Sequence, residues 1–152
     1  MQLVVIVIQV QMIWFQFFQQ ENQNILKYKH YSFNIIAEDF FEKAHQTSAR
    51  YGIGINEFKE VGLTAMYKEK IRCPFVAESP LHIALELHED IEIKSNKTRL
   101  IVGKVISISS LDSLAENKFE LDFQKLKSIS ISGLSDYYTL NKLMSLKYAK
   151  PK

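Results

Sequence analysis

The chain has 152 residues, 47% of them hydrophobic and 24% charged, with a formal net charge of +2. That length suffices for one domain around one core, and the near-balanced charge excludes a strongly basic nucleic-acid binder and gives no reason to expect a membrane partner. Cys73 is the single cysteine, so no intrachain disulfide can form, and a reducing, cytoplasmic setting fits.

Met1 to Phe18 carry no charge and are mostly apolar, interrupted by Gln2, Gln9, Gln11 and Gln16. A secretory leader would need a basic start and a small-residue cleavage site, and a spanning helix would bury four glutamines. The Val/Ile-rich run Leu3 to Val10 reads better as a buried strand. Tyr31 to Ile36 alternates partly and suits a second strand.

A helix is expected from Glu38 to Arg50. Glu38, Asp39 and Glu42 lie near its start and Arg50 near its end, which complements the helix dipole. Phe40, Ala44 and Thr47 share one face, and Gly52 ends the helix. Asn56 is the expected N-cap of a short helix through Val61, with Gly62 just beyond it.

The period then changes to two. Leu81, Ile83, Leu85 and Leu87 point one way and His82, Ala84, Glu86 and His88 the other, a half-exposed strand that continues through Asp90 to Lys94 after a kink. Ser95-Asn96 marks a turn. Arg99 to Ile108 reads as a central strand, with Gly103 signalling a bulge or barrel bend. Asp122 caps a short helix over Phe123 to Leu126, Ser128 to Ser132 forms the last strand, and Asn141 to Leu146 a terminal helical turn. These elements add up to a small β-barrel with appended helices, mainly β or α+β, in one domain.

Four strings, in order, carry a family resemblance. They are Asn24-Ile25 with Tyr31-Ser32-Phe33-Asn34-Ile35; Ala44 to Tyr51 leading into Asn56-Glu57-Phe58 and Gly62-Leu63-Thr64; Ile101-Val102-Gly103-Lys104-Val105; and Ser132 to Tyr138, closing with Tyr148-Ala149-Lys150-Pro151. Residues 24–152 thereby resemble a flavin reductase-like, FMN-binding split-barrel domain. The resemblance implies an FMN-dependent oxidoreductase, with flavin and NAD(P)H as partners and a homodimer holding the flavin near its interface.

Residues 1–23 do not resemble the family's first strands. They contain no proline, arginine, threonine or glycine, the residues that supply much of the family's flavin pocket. The chain is therefore expected to be truncated or replaced there, and an alternative function is a non-catalytic split barrel acting as a binding or structural module.

A flavin phosphate needs hydroxyl or backbone donors and a cation, and its ring needs aromatic or apolar walls. The candidate cofactor-binding set is His45, Gln46, Thr47, Ser48, Arg50, Tyr51, Tyr137 and Tyr138. The flavin supplies the redox chemistry, so no catalytic triad is required. The plainer reading stays open beside this one: residues 45–48 as a polar helix end, Arg50 complementing the helix terminus, and one of the adjacent tyrosines in the core. Gly103 and Gly133 read as backbone-geometry glycines. His82, Glu86 and His88 share a strand face, but the two histidines lie roughly 20 Å apart along it, too far for one zinc ion. No metal site and no catalytic Cys73 are expected.

Overall fold

The computed structural model describes residues 23–52, 54–110 and 122–151. The strand expected at Leu3 to Val10 lies outside the described residues.

Residues 23–28 are helical, and Lys29, at φ 60°, turns the chain into β1 (His30–Asn34). Two helices follow, α1 (Phe41–Gln46) and α2 (Glu57–Val61). Then come the short β2 (Ala65–Met66) and β3 (Phe75–Val76), the long β4 (Leu81–Ile93) and β5 (Thr98–Ser110), and the hairpin β6 (Ile129–Ser132) and β7 (Asp136–Thr139). Among the described residues, β1, β4 and β5 form an antiparallel sheet in that order, while β2 pairs β3 and β6 pairs β7.

The alternation in β1 explains how the chain layers. Tyr31 faces a core with Leu85 and Ile101, backed by Ile25, Phe33, Ile83, Leu87 and Val105. The polar residues between grip the segment that carries β3. His30 Nδ1 accepts from the Arg72 amide, Ser32 Oγ donates to the Pro74 carbonyl, and Asn34 Oδ1 accepts from the Val76 amide at 3.0 Å. A second core gathers Ala37, Phe40, Val61 and Leu63, with Ala44, Tyr51 and Phe58 packed against it. Of the helix face expected from Phe40, Ala44 and Thr47, Phe40 at the N-cap is buried in this core and Ala44 packs against it half-buried, while Thr47 caps the helix end.

Several expectations are met in detail. The Asn56 side chain accepts from the Lys59 amide, and Gly62, at φ 68°, ends α2 in the left-handed conformation. Asn96 Oδ1 accepts from the amide and the hydroxyl of Thr98 at the β4–β5 turn. Asp122 accepts from the amides of Gln124 and Lys125, although residues 123–127 form turns rather than a regular helix.

Others are corrected. α1 ends at Gln46 rather than Arg50, because the hydroxyls of Thr47 and Ser48 donate back to the carbonyls of Ala44 and His45 at 2.7 Å and close the chain into turns. The first half of β4 is buried on both faces: His82 and Ala84 are 1% and 0% exposed, and β3 covers His82. His82 Nε2 lies 2.8 Å from the Val76 carbonyl oxygen, with the Phe75 ring edge-on. Glu86 and His88, beyond the reach of β3, are exposed. The kink in β4 is a pair of register shifts, at Ala84/Leu85 and Leu87/Glu89. β5, read as central, pairs only with β4 among the described residues. Ser128 to Ser132 is not the last strand, since β7 follows it. Asn141 to Leu146 forms no regular structure; so short a helix is marginal without a packed face, and Leu143 and Leu146 are 91% and 83% exposed.

Candidate functional site

After β1 the chain changes partners. The Ile35 amide still bonds the Leu81 carbonyl, but the Ile36 carbonyl accepts from Ile129, Ala37 bridges Ser128, and the Glu38 amide donates to Lys127. This corner carries the β6–β7 hairpin to the end of β1 and sets it beside α1. Two sequence stretches then meet: His45 Nδ1 and the Tyr137 hydroxyl lie 2.8 Å apart across 92 residues of chain. Phe41 supports the contact, its ring centroid 5.2 Å from that of Tyr137.

The same corner encloses a pocket of about 300 Å³. Its lining is mainly apolar: Ile35, Ile36, Ile129, Ile131, Leu140, and the rings of Phe123 and Tyr137, with Asn34 and Ser128 as the polar members. Those polar side chains are already engaged, Asn34 with Val76 and Ser32, and Ser128 with the Phe123 carbonyl. The Tyr137–His45 pair is the polar group at its edge with capacity to spare. A histidine that uses Nδ1 toward the tyrosine keeps Nε2 for a ligand, as donor or acceptor according to tautomer. Volume, apolar lining and a polar edge are the ordinary make-up of a small-molecule site.

The remaining candidates are placed differently. Gln46 and Tyr51 bond each other, through the Gln46 amide at 3.4 Å and the Gln46 carbonyl at 3.3 Å. Thr47 and Ser48 spend their hydroxyl protons on the carbonyls that end α1, so they would donate to a phosphate only by releasing them. Arg50 is exposed just beyond. Tyr138, 56% exposed, alternates away from Tyr137 along β7. The structure therefore brings His45 to Tyr137 and Gln46 to Tyr51 but leaves Tyr138 apart. The isoleucine walls belong to no candidate set that the sequence offered. The Ile35-Ile36 pair at a strand end and the Ile129/Ile131 alternation were the available signals.

Elsewhere, Cys73 is buried beside Ser32; burial raises its thiol pKa and outweighs the hydroxyl contact that lowers it, so it is held as a neutral thiol. Burial likewise lowers the His82 pKa, against the Val76 hydrogen bond and with help from Lys68. Lys68 reaches the Ser109 hydroxyl and covers the Phe75 ring. Among the described residues no helix is long and apolar enough to cross a membrane.

The model of the flavin reductase like domain matches residues 21–129, well over half of the chain. This chain belongs to the flavin reductase like domain family. A crystal structure from Shewanella frigidimarina NCIMB 400, assigned as a flavin reductase with a split barrel domain, superposes with a TM-score of 0.82 at 34% identity, covering 86% of this chain and 66% of that one. Component B of nitrilotriacetate monooxygenase from Bacillus cereus gives a TM-score of 0.74 at 22% identity, over 84% of this chain and 64% of that one. Flavoredoxin of Desulfovibrio vulgaris (Miyazaki F) gives 0.71 at 20%, over 82% and 66%. The last two likenesses bear on fold alone, and that fold is the split barrel, mostly β with a few short helices. An uncharacterized protein of Aquifex aeolicus (strain VF5) is 23% identical over 116 residues, 76% of this chain and 58% of that protein. The chain thus spans less than two thirds of the length of these relatives.

Proposed function

We propose that this member of the flavin reductase like domain family is an FMN-binding oxidoreductase, passing hydride or electrons from NAD(P)H to an acceptor, as a cytoplasmic homodimer. Residues 24–152 are the unit we assign to that activity, with 1–23 as an apolar lead segment. The observation that carries the reading is the apolar pocket with the Tyr137–His45 pair on its edge, in a chain of this family.

In this reading the flavin ring lies against the isoleucine lining and Tyr137, and His45 offers a hydrogen bond through Nε2. Gln46, Thr47, Ser48, Arg50 and Tyr51 lie toward the sugar-phosphate side, where Arg50 supplies the cation, and Tyr138 flanks the site. Bound flavin supplies the redox chemistry; the chain's own part is to hold the ring, orient it and keep water from its face. Anaerobic mixing of FMN and protein with NADH or NADPH tests the activity. Loss of flavin absorbance at a rate proportional to protein is expected, and Tyr137→Ala should weaken FMN binding about ten-fold, the loss of one ring contact and its hydrogen bond. No reduction with either nucleotide counts against catalysis.

The second reading, a non-catalytic binding or structural module, is favoured by one observation. The hydroxyls of Thr47 and Ser48 are committed to carbonyls at the C-terminal end of α1, where the helix dipole disfavours an anion. A folded chain without flavin affinity would favour this module, and tight stoichiometric FMN binding would rule it out.

A further inference from the structure

Residues 72–76 are tied to the three-stranded sheet by side chains, since β3 has its backbone ladder with β2. They cross the sheet face that carries His30, Ser32, Asn34 and His82. The Arg72 amide donates to His30 Nδ1, Ser32 Oγ donates to the Pro74 carbonyl, and the Val76 amide donates to Asn34 Oδ1. His82 Nε2 donates to the Val76 carbonyl, which also accepts from the Ser79 amide. The buried Phe75 ring lies edge-on to His82, and Cys73 is buried between the two ends.

We propose that residues 72–76 form a strap that neutral His30 and neutral His82 latch to the sheet, and that acid releases it. This goes beyond the flavin reading and does not depend on it.

Both latches need an uncharged ring, for different reasons. His30 accepts at Nδ1, and an imidazolium has no lone pair there to accept with. His82 donates from Nε2, a bond that survives protonation, but the added charge sits in a buried site. Burial disfavours that charge most, the Val76 carbonyl favours it, and the Lys68 ammonium, which lies over the Phe75 ring, disfavours it again. Lifting the strap lets water solvate the charge. Around His30 the charges are mixed. Glu86 on β4 is its cross-strand partner and favours the imidazolium; Lys104 on β5 pairs with Glu86, Lys29 precedes His30, and Arg72 lies in the strap. The lost acceptor at His30 and the buried charge at His82 therefore carry the release.

Asn34 links the strap to the pocket, because its side chain lines the pocket while its Oδ1 holds the Val76 amide. Release frees that carboxamide, and an apolar wall gains a polar group. Burial of Phe75 keeps the released state a minor one at neutral pH.

Cys73 reports release, since its thiol is covered while the strap is closed. In the full chain, its rate of reaction with N-ethylmaleimide, divided by that of glutathione at the same pH, follows the open fraction. Each histidine whose proton is excluded from the closed strap raises that fraction about ten-fold between about pH 7.5 and about pH 5.5. The normalised rate is expected to rise about ten-fold or more over this range. In His30→Asn/His82→Gln the rise should vanish. Asparagine places an acceptor where Nδ1 stood, glutamine a donor where Nε2 stood, and neither titrates. A normalised rate that is equal at the two pH values, or that rises as much in the double variant, overturns the proposal. A rate that climbs with urea as steeply as global unfolding also overturns it, since the thiol is then reached through the unfolded chain. A weak urea dependence, with native far-UV circular dichroism at both pH values, supports release of the strap alone.

Discussion

Tyr31 occupies the space that a side chain at position 103 would take. A Cβ placed on Gly103 would lie 2.0 Å from the Tyr31 hydroxyl oxygen, 2.7 Å from its Cζ and 3.0 Å from Leu85 Cδ2. The glycine serves close approach, and the bulge that the sequence suggested lies directly opposite it, as the register shift at Leu87/Glu89 where Leu87 pairs Gly103. Gly103→Ala should cost about 1–3 kcal/mol, the usual range for overpacking a core, and chemical denaturation measures it. Adding Tyr31→Leu should recover part of the loss by vacating the contact. His82 makes the pH argument at the same scale. Burial holds its folded pKa below the ordinary 6.5, with Lys68 contributing and the Val76 carbonyl opposing. As pH falls below that value the unfolded chain takes up the proton first, so the stability His82 contributes is present above 6.5 and lost toward acid. Thermal melts at about pH 7.5 and about pH 5.5 should show a drop that shrinks in His82→Gln, whose amide can still donate to Val76. The alternation of β4 identified His82 as a face residue but could not reveal that a segment six residues upstream covers that face. Tyr137 and His45 were each legible as candidates, but their contact across 92 residues of chain was not.

Local chemistry set some elements fully and others only in outline. Asn56 and Gly62 bracket α2 as expected, since both act within one turn of chain. Asn56→Ala removes the acceptor for the Lys59 amide and should cost about 1 kcal/mol, read as a lowered denaturation midpoint with unchanged slope. A midpoint within error of the parent would mean that the packing of Val61, not the cap, holds α2 in place. The α1 face was readable from Phe40 and Ala44, whereas its end was not. Dipole complementarity argued for a helix reaching Arg50, but two consecutive hydroxyl residues supplied a competing set of bonds after Gln46. The hairpin β6–β7 was half legible. Its first strand alternates, but the positive-φ turn at Gly133 that brings back β7 was read only as a geometry glycine. The C-terminal segment was misread as helical because its apolar spacing suits a helix and no sequence feature says which surface receives it.

At the scale of the molecule, periodicity yields a β-rich domain with short helices, and the ordered strings Ala44 to Tyr51, Ile101 to Val105 and Ser132 to Tyr138 pointed to the split barrel that the family match and the structural likeness bear out. The site was less legible, because its walls are unremarkable isoleucines gathered by a change of strand partner at Ile36. Flavin chemistry in this chain depends on that corner of the fold being a flavin site. Titration of FMN with the purified full chain, followed by quenching of flavin fluorescence, measures this most directly. Saturation at one FMN per chain in the micromolar range or tighter, weakened by Tyr137→Ala and by His45→Ala, is the predicted result. Fluorescence that stays unquenched at high protein concentration, from a chain shown to be folded, would contradict it.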